Sequence, residues 1–226
     1  MELQKVLYPV VAVVVNIIAS YVAFVAGPSP VAGLEGDIYR IFYTHTPTAW
    51  ICYLTLGISS LSSLLFLAYR EAKYDTLAEV AAILGLIYGA VALATGSVWA
   101  NAIWGIYWHW DPRETTTLIL WIAYLGYISL RFSIDNLERR GLIGAVYNIV
   151  AFSTIPLSYL SFRLWQSLHP QIIIPGSGIS ATLPVIETLL VNLVSGTLLC
   201  IFLLKMMYTT RILQKRVEAL TQEERG

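Results

Sequence analysis

The stretch "TGSVWANAIWGIYWHWDPRETTTLILW", Thr95 to Trp121, decides how the chain is read. It joins two apolar runs through a short passage that holds Trp99, Trp104, Trp108 and Trp110 with His109, Asp111, Arg113 and Glu114. The apolar runs either side, Leu77–Thr95 and Thr115–Arg131, have the length of membrane spans, so this passage is a turn between two spans. Asp111, Pro112 and Glu114 mark a helix start, with an acceptor at the N-cap, proline at N1 and an acid at N3. The fourth span therefore begins at Asp111. Trp104, Tyr107, Trp108 and Asp111 have i, i+3, i+4, i+7 spacing, which predicts a short helix lying flat at the membrane surface.

Outward from this passage the pattern repeats. The chain has 226 residues, 57% hydrophobic and only 12% charged, about half the charge of a soluble domain. Six runs are long enough to cross the hydrocarbon as helices, namely 8–26, 49–69, 77–95, 115–131, 142–162 and 183–208. The expected fold is an all-α integral membrane protein, a six-transmembrane helix bundle forming a single membrane domain over 1–226, with the tryptophan loop at 96–114. The first run lacks a small-x-small cleavage site and reads as a retained span. The tail from Thr209 reads as an amphipathic helix extending the last span.

Basic residues set the orientation. Lys5, Arg70, Lys73, Arg131, Arg139, Arg140, Lys205, Arg211, Lys215, Arg216 and Arg225 fall on one side; Arg40, Arg113 and Arg163 fall on the other. The positive-inside rule makes the first side cytoplasmic, with both termini there and the tryptophan loop on the outer face. Cys52 and Cys200 lie within spans without a C-x-x-C, so no thioredoxin-like or covalent haem-attachment motif is present. There is no Walker sequence and no nucleic-acid signature, so any ATP-driven step belongs to another chain.

The three histidines, His45, His109 and His169, all fall at the outward loops or their junctions with helices. Thr46 and Pro47 suit the N-cap and N1 of the second helix, which places His45 just before its positive end and favours a neutral imidazole. Pro170 holds His169 extended. Each histidine alone reads as an interfacial polar residue. Together they can clamp a metal or a haem iron from two sides. A dihaem cytochrome that moves electrons across the bilayer needs ligands buried in its helices, and none of the three lies there. Scattered tryptophans such as Trp50, Trp121 and Trp165 fit an interfacial belt. The cluster from Trp99 to Trp110 fits a platform for a large flat ligand better. Arg40 and Arg113 are candidate partners for its carboxylates, or else cap helices, meet lipid headgroups, or pair with Asp37 and Glu114. Glu187, in the first turns of the sixth span, reads as a helix-dipole residue.

The run from Thr95 to Arg131 resembles the tryptophan-rich WWD motif of the haem-handling proteins of cytochrome c maturation. "YRIFYTHTPTAW" and "LWQSLH" resemble the two histidine segments of one family among them, CcmC (haem exporter protein C) of system I. The resemblance extends over nearly the whole chain. It implies that His45 and His169 are axial ligands of non-covalent haem b, and that Trp99, Trp104, Trp108, Trp110 and Asp111 belong to the haem-binding loop. It assigns nothing to His109. It further implies a cytoplasmic (inner) membrane protein that presents haem to a periplasmic, CcmE-like chaperone, beside CcmA/CcmB-like ABC transporter subunits and a small single-span CcmD-like protein. Rival readings are a transmembrane haem exporter, a cytochrome c haem ligase and a quinone-linked haem oxidoreductase.

Overall fold

The computed structural model describes residues 2–29, 37–169, 173–174, 178–179 and 181–223. Seven helices occur among them: α1 (Glu2–Ala26), α2 (Phe42–Tyr69), α3 (Ala72–Trp104), α4 (Pro112–Phe132), α5 (Leu137–Phe152), α6 (Thr154–Leu164) and α7 (Leu183–Glu223). A 3-10 turn, Asp37–Ile41, leads directly into α2. Two-residue strands, β1 (Ile173–Ile174) and β2 (Gly178–Ile179), pair antiparallel between α6 and α7. Six segments are long and apolar enough to cross a membrane, because α5 and α6 form one span, Leu137–Ser161. The chain is an all-α, six-span membrane protein.

The α5–α6 break has a local cause. Pro156 has no N–H for the carbonyl of Phe152, so the helix interrupts at Ser153 and proline falls in the first turn of α6, where it is tolerated. The hydroxyls of Ser153 and Thr154 donate to the carbonyls of Val150 (2.8 Å) and Ala151 (2.6 Å).

Two boundaries depart from expectation. First, α2 starts at Phe42, so His45 stands inside its first turns, Pro47 inside the helix, and Thr46 is not the N-cap. Phe42 and Tyr43 are buried with Ala23, Trp99 and Val185, and this packing carries the helix beyond its proline. Second, α3 continues through Trp104, and the connection 105–111 is irregular, so the flat surface helix does not form. Gly105 ends α3 in the left-handed region (φ 75°), its N–H donating to the carbonyl of Asn101 at 2.9 Å. Trp99 and Trp104 accordingly stand on the last turns of α3, while Trp108 and Trp110 stand on the connection.

Hydroxyl and amide side chains join the helices where lipid offers no partners. Ser59 donates to the carbonyl of Ala78 (2.7 Å), and Asn148 Nδ2 donates to Ser59 (2.7 Å) and Ser63 (2.9 Å). At the Ala72 end of α3, buried Arg131 bridges Asp75 (2.6 and 3.0 Å) and Glu79 (3.2 Å). From α7, Arg211 reaches Glu79 at 2.9 Å and Lys215 reaches the Thr76 hydroxyl at 2.8 Å.

Candidate functional site: a cavity shared by two histidines

The other end of α3 faces a cavity of about 380 Å³. Its walls include His45, Trp50, Cys52 and Tyr53 from α2, Gly96, Trp99 and Trp104 from α3, Trp108 from the connection, and Arg113, Glu114 and Thr117 from α4. Tyr159 of α6, Leu193 of α7 and His169 complete it. Residues 124 positions apart in sequence thus share one apolar chamber, within the size range of small-molecule sites.

His45 Nδ1 lies 3.1 Å from the hydroxyl of Thr95. That hydroxyl has one proton and donates it to the carbonyl of Val91 at 2.7 Å. It can therefore only accept from His45, which puts the imidazole proton on Nδ1 and leaves the Nε2 lone pair available. Gly96 makes room for the ring, since a Cβ there would lie 2.9 Å from His45 Cε1.

Trp99, 5% exposed, links the two histidines. Its ring centroid is 5.9 Å from that of His45 and 6.5 Å, edge-on, from that of His169. The His169 imidazole is pushed down to about 3, first by burial, then by the charge of Arg113 and the proximity of His45, with Asp111 opposing. It is neutral at any ordinary pH. The indole N–H groups of Trp99 and Trp108 are buried without a hydrogen-bond partner among the described residues.

Arg113 sits over the rings of Tyr53 and Tyr159, at 5.8 and 5.7 Å, and donates to the carbonyls of Ser158 (3.2 Å) and Tyr159 (2.9 Å). Those contacts hold the guanidinium at the chamber wall. Arg40 is placed differently, donating to the carbonyls of Phe24 (3.0 Å) and Val25 (3.3 Å) at the negative end of α1, and it is not among the cavity walls. Trp110 is 71% exposed and lies edge-on against Trp108 at 5.8 Å, with its ring outside the chamber. Its backbone is left-handed (φ 57°), a strained conformation for a tryptophan.

Asp111 is the N-cap of α4, accepting from the Arg113 N–H at 2.8 Å. It does more than the N-cap motif foretold. The same oxygen accepts from the Ser167 hydroxyl (2.8 Å) and the other accepts from the Leu168 N–H (2.8 Å). Glu114 accepts from the His109 N–H at 3.0 Å, not from the N-cap residue. The His109 ring stands edge-on to Trp104 at 5.3 Å, so it braces a cavity wall. Glu187 is exposed beside a separate groove between α1 and α7. Sequence reading missed Thr95, Ser167, Tyr53 and Tyr159, since nothing in a lone threonine, serine or tyrosine distinguishes a site residue from an ordinary span residue.

Fold and site define a multi-span membrane protein with a paired-imidazole, tryptophan-walled chamber near one end of its bundle. The chain belongs to the heme exporter protein C family, whose model matches residues 1–223. It is 34% identical over 187 residues to heme exporter protein C of Bradyrhizobium diazoefficiens, covering 82% of this chain and 71% of that one. It is 30% identical over 204 residues to heme exporter protein C of Rhodobacter capsulatus, covering 87% and 82%. Heme exporter protein C of Escherichia coli K12 is 31% identical over 147 residues, covering 63% and 58%.

Proposed function

We propose that this protein handles haem in cytochrome c biogenesis by holding it, non-covalently, in the chamber at the outer face of the cytoplasmic membrane and passing it to a periplasmic haem chaperone. His45 Nε2 and an imidazole nitrogen of His169 are the axial ligands of haem b. The observation that carries the reading is the meeting of both imidazoles at Trp99, inside an apolar chamber and in the form that binds iron.

The rest of the chamber fits the same cargo. Trp104 and Trp108 offer flat walls to the porphyrin, and Trp99 and Trp108 hold indole donors with no partner among the described residues. Arg113 supplies the charge for a propionate. Arg40 and Trp110 stay in the reading as rim residues, since neither is a wall. Two imidazoles leave the iron no open position, which suits holding over catalysis. Orientation rests on the excess of Lys and Arg at the Ala72 end of α3. ABC transporter subunits and a small single-span protein are the further partners that the family suggests, and residues 1–226 act as one domain. Beneath the chamber Thr55, Ser59 and Ser63 are fully buried, and packing of this kind supports surface loading over conduction through the bundle.

The optical spectrum of detergent-purified protein tests the ligands. Wild type is expected to carry six-coordinate low-spin haem. His45→Ala and His169→Ala are each expected to lose haem or to turn five-coordinate. Haem that is absent from wild type, or unchanged in both variants, overturns the assignment.

A further inference from the structure

His45 and His169 are held in different ways. His45 belongs to the hydrogen-bonded backbone of α2 and is fixed with it. His169 lies beyond the end of α6, where the helix has stopped at Leu164 and Trp165 is already extended. What fixes this segment is side-chain chemistry from elsewhere. Asp111 Oδ1 accepts from the Ser167 hydroxyl, Asp111 Oδ2 accepts from the Leu168 N–H, and the Ser167 oxygen accepts from the His169 N–H at 3.1 Å. Three consecutive residues are thus tied, directly or through one hydroxyl, to a single carboxylate. That carboxylate is itself fixed as the N-cap of α4 and is 9% exposed.

We propose that Asp111 and Ser167 form a latch that presents His169 to the iron, and that opening it detaches this ligand while His45 keeps its hold. The inference rests on the bis-histidine reading above. In it Asp111 is a positioning residue of the tryptophan loop, acting through His169. The latch gives the chamber two unlike ligands, one permanent and one releasable. The transfer of haem to an acceptor requires such an asymmetry, because a ligand that is displaced first must be the one whose backbone can move. It also joins the tryptophan loop to the second histidine segment, so contact with a partner at Trp110, next to Asp111 and exposed, reaches the iron through two hydrogen bonds.

Asp111→Asn retains an oxygen for the Arg113 N–H but sets an amide NH₂ against the Leu168 N–H, donor facing donor. Ser167→Ala removes the bridging hydroxyl and little else, and Ser167→Thr retains it. The expected result is haem that turns partly five-coordinate in Asp111→Asn and Ser167→Ala and leaves for apomyoglobin about tenfold faster or more, as the loss of a hydrogen bond to an ionised acceptor implies. Added imidazole restores the six-coordinate spectrum in both variants and in His169→Ala. Ser167→Thr behaves as wild type. If His169→Ala leaves the spectrum unchanged, the ligand reading fails. If His169→Ala changes it but Asp111→Asn and Ser167→Ala keep the wild-type spectrum and release rate, the ligand reading stands and the latch is overturned. Loss of all haem in both variants, with no rescue by imidazole, also overturns it.

Discussion

A neutral imidazole is an energetic commitment, and His169 shows its sign. Its folded value is depressed to about 3, whereas the unfolded chain takes up the proton below about 6.5. The contribution to stability is complete above the unfolded value and is lost as pH falls toward the folded one. The thermal midpoint of haem-free protein in detergent is therefore expected to drop between pH 7 and pH 4, and His169→Gln to drop less over the same range. Equal slopes in the two would contradict the burial of this ring. A second residue sets the place of the other imidazole. Alanine at Gly96 would put a Cβ 2.9 Å from His45 Cε1 and 3.4 Å from Nδ1. Overpacking of this kind costs about 1–3 kcal/mol, and the ring can yield only by leaving Thr95. Gly96→Ala should shift the haem spectrum and weaken haem retention about tenfold, whereas Gly57→Ala, with open space around its Cβ, should do neither.

At the scale of elements, the spans were legible because about 20 apolar residues admit few alternatives in a membrane. The helix ends were less so. Pro47 reads as N1 by local rules, yet burial of Phe42 and Tyr43 against Trp99 extends α2 past it. The i, i+3, i+4, i+7 pattern from Trp104 reads as a helix, yet Gly105 interrupts it at once. In the site, His45, His169, Trp99 and Arg113 were legible from chemical type. Helix capping was among the alternatives for Arg40, and the contacts with Phe24 and Val25 select it. The outward face of Trp110 was not legible, because it goes with a left-handed backbone that a tryptophan does not signal. The bond from Asp111 to Ser167 spans 56 positions, and neither residue signals the other. Gly105 offers a clean test of an element boundary. Its Cβ would meet nothing within 4 Å, so Gly105→Ala acts through the positive φ alone. It should cost about 1 kcal/mol, seen as a lower thermal midpoint, and Gly105→Asn should cost less. A variant as stable as wild type would show that α3 does not end in this way in solution.

The whole molecule is held at two ends by opposite means. Around the chamber, rings and neutral imidazoles pack with few charges. Some 20 residues away along α3, about 30 Å on a straight helix, Arg131, Asp75, Glu79, Arg211 and Lys215 join α3, α4 and α7 through ion pairs. The Arg131 side chain is 4% exposed and that of Glu79 8%, so this pair is buried, and removing Arg131 takes from Asp75 its two short hydrogen bonds (2.6 and 3.0 Å) and from Glu79 one of its partners. Arg131→Met is expected to destabilise the protein by about 3–5 kcal/mol. Among the described residues, Asp75 then keeps only Lys215, at 3.7 Å, whereas Glu79 keeps Arg211 at 2.9 Å. Adding Asp75→Asn and Glu79→Gln removes both anions, and Arg211 and Lys215, each 26% exposed, can turn their charges toward water. The triple variant should therefore regain most of the loss, which thermal unfolding in detergent measures. The haem spectrum of whatever remains folded should match wild type in both, because the cluster shares no side chain with the chamber. A single variant as stable as wild type would mean that the ion pairs do not close this end of the bundle. A triple variant less stable than the single would mean that Asp75 and Glu79 hold Arg211 and Lys215 more tightly than they depend on Arg131.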